Sequence, residues 1–109
     1  MTITDAKNQF ESTPACTEAF KKLSVEMRHL IEHDIVNAAS YLIIYEISWH
    51  YFISFEDQGL EPKVAEKAKR QMLGYLNSFE PHIVAGEWVE VYKALGNVSN
   101  DYLLGKHTL

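Results

Sequence analysis

The sequence contains a single cysteine, Cys16, so no disulfide can form within the chain. Disulfides persist in oxidising compartments, and a chain without them fits a reducing compartment at least as well. Residues 1–10 carry Asp5, Lys7 and Asn8 instead of the basic and apolar stretches of a secretory signal. Together these absences favour a cytoplasmic protein.

A long uninterrupted apolar run is also absent. The most apolar segment, residues 35–55, is long enough to span a bilayer, but it contains Asn37, Glu46 and His50. Each of these side chains is costly in hydrocarbon, and the segment lacks flanking lysines or arginines. We therefore expect a buried element and no membrane association.

Positive charge is scarce, because 10 lysines and arginines stand against 15 aspartates and glutamates, for a formal net charge of -5. Such a chain repels phosphate backbones, and general nucleic-acid binding is not expected. One exception is a basic run at residues 63–70, where Glu66 is the only acid. A solvated helix face is the simpler interpretation of this run, and phosphate binding is the alternative.

The sequence motifs of the common enzyme classes are missing as well. The chain has no glycine-rich phosphate loop, nucleophile elbow, metal-binding cysteine pair or nucleotide fingerprint. This absence favours a protein that is not an enzyme, and no cofactor is predicted.

What is present is the composition of a globular domain, with 47% hydrophobic and 23% charged residues among 109. A chain of this length supports one hydrophobic core. Residues 1–12 show no periodicity and are predicted to form a flexible tail. Residues 13–109 are predicted to form a single helical domain.

The first helix is predicted from Thr13, a capping residue, and Pro14, which suits the first helical position. Its apolar residues recur at steps of three and four, as on one face of a helix. They are Cys16, Phe20, Leu23, Met27, Leu30 and Ile31. A break and a new cap are predicted near Asp34.

Two later helices are introduced by Leu60-Glu61-Pro62 and Phe79-Glu80-Pro81, in each of which an acidic cap precedes a proline at the first helical position. The second of them is predicted to end at Gly96. Its predicted core stripe consists of Val84, Trp88, Val91, Tyr92 and Leu95.

Residues 41–55 fit two patterns. Large apolar residues alternate with smaller or polar ones, which is typical of a strand. As a helix, the segment would be apolar on nearly every side except for a narrow polar stripe. We favour the helix, because no other segment alternates as a partner strand and Gly59 stands where a helix often ends. The predicted fold is all-α, a small four-helix bundle-like domain; the alternative is α+β with residues 41–55 as a long strand.

Aromatic residues crowd this segment in greater number than one helix of a small bundle usually buries. Tyr and Trp are enriched at protein interfaces, because they combine a large apolar area with a polar tip. We predict a partner-binding face made of Tyr41, Tyr45, Trp49, Tyr51 and Phe52. The predicted function is a non-enzymatic interaction or regulatory module, such as an adaptor, an inhibitor or an immunity-type protein, and we expect a homodimer.

Two pairs of polar residues suggest a different function, that of a metal- or small-ligand-binding bundle. Glu46 and His50 stand four residues apart in the most apolar segment, and such a pair must be hydrogen-bonded if it is buried. His29 and His33 have the same spacing and also supply ligand atoms for a metal. The simpler interpretation of His29 and His33 is a solvated helix face, and that of Glu46 and His50 is a polar stripe that meets water or a second subunit.

Overall fold

A computed structural model of the chain describes residues 1–105 and 109. These residues form five α-helices and no strand: α1 (Ile3–Ser12), α2 (Thr17–His33), α3 (Ala38–Phe55), α4 (Pro62–Ala85) and α5 (Trp88–Leu104). The predicted all-α class is confirmed, and the alternative with a long strand is wrong. The arrangement has one helix more than the predicted four, because α1 joins the bundle.

The predicted break near Asp34 is confirmed, since α2 ends there and a short 3₁₀ turn leads into α3. The Asp34 carboxylate accepts hydrogen bonds from the Tyr41 hydroxyl at 2.6 Å and from the Asn37 amide at 2.9 Å. These bonds link the end of α2 to the start of α3. The two helices then pack along each other over the most extensive interhelical contact in the molecule.

The first twelve residues, expected as a flexible tail, contain helix α1 instead. Thr2 and Asp5 form a capping box, in which each side chain accepts a hydrogen bond from the other residue's backbone N–H, at 3.1 and 3.0 Å. The apolar residues of this helix are buried at steps of three and four: Ile3, Ala6 and Phe10. Helix α1 is therefore held by both its cap and its packing.

Polar contacts fasten α1 to α4. The Lys69 ammonium donates to the backbone oxygens of Glu11 at 2.8 Å and Thr13 at 2.7 Å. At the other end of α1, the Thr4 hydroxyl donates to the Glu80 carboxylate at 2.8 Å. The helix therefore closes one side of the bundle against the long α4.

Helix α2 begins at Thr17, three residues later than the sequence predicted. Cys16 occupies the cap position with an exposed side chain. The prediction that Cys16 belongs to the apolar stripe of this helix is therefore wrong, because the helix begins only after it.

The division between α4 and α5 also lies elsewhere than predicted. Helix α4 continues through Pro81 and ends at Gly86, whose φ of 69° is a left-handed conformation that suits glycine. Pro81 lies near the end of α4 and has no N–H to donate to the carbonyl of Asn77, four residues earlier. Asn77 is an exposed residue, so the missing hydrogen bond lies on the solvent side of the helix. Helix α5 then passes through Gly96 to Leu104, so the prediction that the last helix ends at Gly96 is wrong.

The core lies between the helices and draws large side chains from four of them, among them Phe10, Phe20, Tyr41, Ile44, Met72 and Phe79. Among the described helices, none combines the length and the apolarity needed to cross a membrane.

Candidate functional site

The predicted aromatic face divides into a buried part and an exposed part. Tyr41, Tyr51 and Phe52 are core residues, at most 6% exposed. The Tyr51 ring packs at a tilt of 38° against that of Phe20 of α2, with ring centroids 4.2 Å apart. These three residues therefore do not belong to an accessible face, and that part of the prediction is wrong, because α2 covers the side of α3 on which they lie.

The outer side of α3 is apolar but uncovered within the described chain. Leu42 is 49% exposed, Trp49 38% and Ile53 45%. At 3.6 residues per turn, these residues fall within an arc of about 40° and form one stripe along the helix. We call this stripe, together with Glu46 and His50, the outer face of α3.

Trp49 lies in the middle part of this face and is held by its neighbours. Its ring centroid is 5.6 Å from that of Phe52, which anchors the indole against the core. The ammonium of Lys21 lies 5.2 Å from the centroid of the Phe52 ring, so α2 supplies a positive charge beside the face. Tyr45 is half-buried at the edge. An exposed tryptophan with a fixed support is a typical anchor in protein interfaces.

Sequence reasoning named Trp49 and Tyr45 for a binding face but missed Leu42 and Ile53. The signal was present, since residues 42, 46, 49 and 53 follow helical spacing. Periodicity alone did not separate the two sides of α3, because the helix is apolar on both. The packing of α2 decides which side remains open.

Glu46 and His50 are exposed, so the cost of burying an unpaired acid does not apply to them. The charge of Glu46 adds to the effect of burial in raising the pKa of Tyr102 on α5. His50 borders a cavity of about 210 Å³ between α3 and α5, which is also lined by Tyr51 and Tyr102. Both polar residues thus lie on the side of the outer face of α3 that is nearer to α5.

His29 and His33 lie on α2 and are exposed, with their rings stacked at a centroid distance of 4.2 Å. His33 also bonds the backbone oxygen of His29 through Nδ1 at 2.9 Å. Because Lys21, near the other end of α2, lies beside Phe52, the two helices are antiparallel and His33 lies far from His50. No group of three or more His, Cys, Asp or Glu side chains within the described residues is placed to hold a metal ion.

The basic run of α4 also separates into two parts. Lys63, Lys67 and Arg70 are exposed on one side of the helix, as a solvated face requires. Lys69 turns the other way and bonds the end of α1. The run is therefore in part a structural element.

A second apolar patch surrounds the turn between α4 and α5. Trp88 is 55% exposed and Tyr92 79%, and Val84 and Val89 are exposed beside them. The prediction that Val84, Trp88 and Tyr92 lie on a core stripe is wrong. That stripe assumed one continuous helix from Pro81, whereas the turn at Gly86 resets the phase and buries Val91, Ala94 and Val98.

The residues that the structure describes therefore form a small five-helix protein with an apolar outer face on α3. No protein-family model, curated protein or solved structure matches the chain at a significant level. Its function is therefore inferred from the geometry of its own residues.

Proposed function

We propose that the chain is a protein-interaction module that binds its partner through the outer face of α3. The observation that carries this proposal is the exposure of Leu42, Trp49 and Ile53 on a helix whose opposite side is already packed. A helix that is apolar on all sides is normally buried on all sides. A partner protein would complete that burial.

The chemistry of the face is that of an interface. Its apolar centre contains a tryptophan, Glu46 and His50 lie along one side, and Lys21 of α2 adds a positive charge near Phe52. Interfaces commonly have an apolar core with Trp or Tyr and a polar rim. Such a module suits a regulatory or adaptor role. We place the protein in the cytoplasm, with which its single cysteine is compatible.

The test is site-specific photocrosslinking in the cells that make the protein. A photoreactive phenylalanine analogue at Ile53 should yield a specific covalent adduct, because this position lies in the proposed interface. The same analogue at Val84 is the matched control, since that residue is also exposed and apolar but lies on the other patch.

Truncation of the anchor sharpens the test. Trp49→Ala should abolish the Ile53 adduct, because an interface tryptophan often contributes about 2 kcal/mol or more, which is about 30-fold in affinity. Trp88→Ala removes a tryptophan outside the face and should leave the adduct intact. Equal adduct yields from Ile53 and Val84, or an adduct that survives Trp49→Ala, would overturn the proposal.

A further inference from the structure

The outer face of α3 is close to symmetric about its own middle. At a rise of 1.5 Å per residue, Glu46 and His50 lie about 3 Å to either side of the level of Ser48. Leu42 and Ile53 lie about 9 and 8 Å away in the two directions. The face therefore contains the same order outward from its centre in both directions, a polar group and then an aliphatic one.

We infer that the partner is a second copy of this chain, with the α3 helices of the two copies packed antiparallel about a two-fold axis level with Ser48. This inference rests on the proposed function of the same face. In a two-fold contact each residue meets the residue at the mirrored level, so the surface must be complementary to itself.

The pairing matches opposite chemistry at its centre. Glu46 of one copy lies at the level of His50 of the second copy, and the contact occurs twice. A carboxylate accepts and an imidazole N–H donates in either protonation state of the histidine, so the pair is complementary. Acid against acid, which a parallel pairing would create at Glu46, is avoided.

Apolar contacts continue the match outward. Leu42 of one copy falls opposite Ile53 of the other, so both exposed aliphatic side chains are covered. Trp49 lies about 1.5 Å from the level of the axis, which brings the two indoles together at the centre. A single helix face thus supplies every part of the contact, and no other component is required.

Three variants test the pairing. The lysine variant combines Glu46→Lys with His50→Lys. The glutamate variant carries His50→Glu alone. The swapped variant combines Glu46→Lys with His50→Glu. In a dimer of the lysine variant or of the glutamate variant, like charges meet across the axis at positions 46 and 50. The affinity of self-association should therefore fall at least about ten-fold. An equimolar mixture of these two variants should restore dimers, because every contact then joins lysine to glutamate.

The swapped variant identifies the direction of pairing. Antiparallel packing places the basic side chain now at position 46 opposite the acidic one at position 50 of the second copy, so this variant should dimerise as the wild type does. Parallel packing would place like charges together.

Sedimentation velocity at about 1–100 μM measures each species, and far-ultraviolet circular dichroism checks that each variant is folded. Glu66→Lys, a charge reversal on the exposed side of α4, is the control outside the face and should leave the dimer unchanged.

A wild-type chain that remains monomeric at about 100 μM would overturn the inference, as would a dimer that tolerates the lysine and glutamate variants equally. Photocrosslinking at Ile53 separates this failure from that of the proposed function. An adduct of twice the chain mass supports both proposals, whereas an adduct with a different protein keeps the binding face but rejects self-pairing. Failure to obtain any specific adduct rejects the face itself.

Discussion

Two buried tyrosines end in hydrogen bonds to carboxylates, Tyr41 to Asp34 and Tyr75 to Asp101. The Tyr75 hydroxyl donates to Asp101 at 2.5 Å and accepts from the Gln71 amide at 2.8 Å. Burial and the bond to Asp101 raise the pKa of Tyr75 to about 12, although the Gln71 donor lowers it. The neutral hydroxyl is therefore strongly favoured in the folded protein.

The sign of this shift predicts alkaline instability. The pKa of Tyr75 is higher in the folded protein than its value of about 10 in the unfolded chain. The stability that this difference contributes is fully present below pH 10 and is lost as the pH rises toward about 12. Tyr75→Phe should lower the free energy of unfolding by about 1 kcal/mol near neutral pH and flatten its decline between those two pKa values. Urea unfolding across this range measures both effects. Tyr92→Phe, at an exposed tyrosine, should leave the profile unchanged, and an equal slope in all three proteins would contradict the prediction.

Glu26 shows the limit of reading single residues from a pattern. It stands off the apolar stripe of α2, which predicts exposure, yet it is buried. Burial raises its pKa, and the nearby Lys22 partly opposes that effect. Turned so that its nitrogen faces the acid, the Gln9 amide of α1 donates to both carboxylate oxygens at 2.9 and 3.1 Å. The covering helix was not predicted, so neither was the burial of Glu26.

At the scale of helices, sequence reasoning succeeded where apolar residues recur over many turns. The break at Asp34 and the helical state of residues 41–55 could both be predicted from spacing and from capping residues. Helix α1 was missed because only three of its ten residues are apolar core positions. The spacing of Thr2 and Asp5, which matches a capping box, was the readable signal.

The two prolines in similar contexts had different outcomes. Pro62 opens α4, as the sequence predicted, whereas Pro81 lies inside that helix. The local pattern of apolar residue, acid and proline is the same, so the difference arises from packing. Phe79 is buried in the core and Glu80 bonds Thr4 and Lys7 of α1, which holds the chain helical on both sides of Pro81.

Two glycines should respond in opposite ways to the same substitution. Gly86→Ala places a side chain at a φ of 69° and should cost about 1 kcal/mol. Gly96→Ala, in the middle of α5 where nothing lies within 4 Å of an added Cβ, should stabilise by up to about 1 kcal/mol. Thermal unfolding of the two variants and the wild type shows whether each substitution raises or lowers the stability. A more stable Gly86→Ala variant would show that the turn does not end α4.

At the scale of the whole molecule, the stability of the bundle depends on α1. Phe10 is buried and meets Phe20 edge to face, with ring centroids 5.2 Å apart. Phe10→Ala should reduce the free energy of unfolding by about 3 kcal/mol, because it leaves a cavity between α1 and α2. Asn8→Ala, on the exposed side of the same helix, is the control and should have little effect. Urea unfolding distinguishes this outcome from that of a free tail, for which both variants would match the wild type.

The candidate site also depends on how the helices of the whole molecule pack. Which residues of α3 remain open is decided by where α2, α4 and α5 lie, so no local pattern could separate Trp49 from Tyr51. The prediction rested on the number of aromatic residues in the segment, yet Tyr41, Tyr51 and Phe52 are buried and only Trp49 among its aromatic residues is exposed. Packing then selected Trp49, Leu42 and Ile53 as its outward members.

The contacts between α1 and α4 join distant parts of the chain, since Thr4 bonds Glu80 across 76 positions. A ribosome adds about 5–20 residues per second, so roughly 4–15 s pass between the synthesis of these two partners. During that time α2 and α3 can pair with each other, as their contact requires only a short connection. Of the five described helices, α1 is synthesised first but cannot meet α4 until that helix has emerged, so the nascent chain keeps part of the apolar surface of α1 open until then.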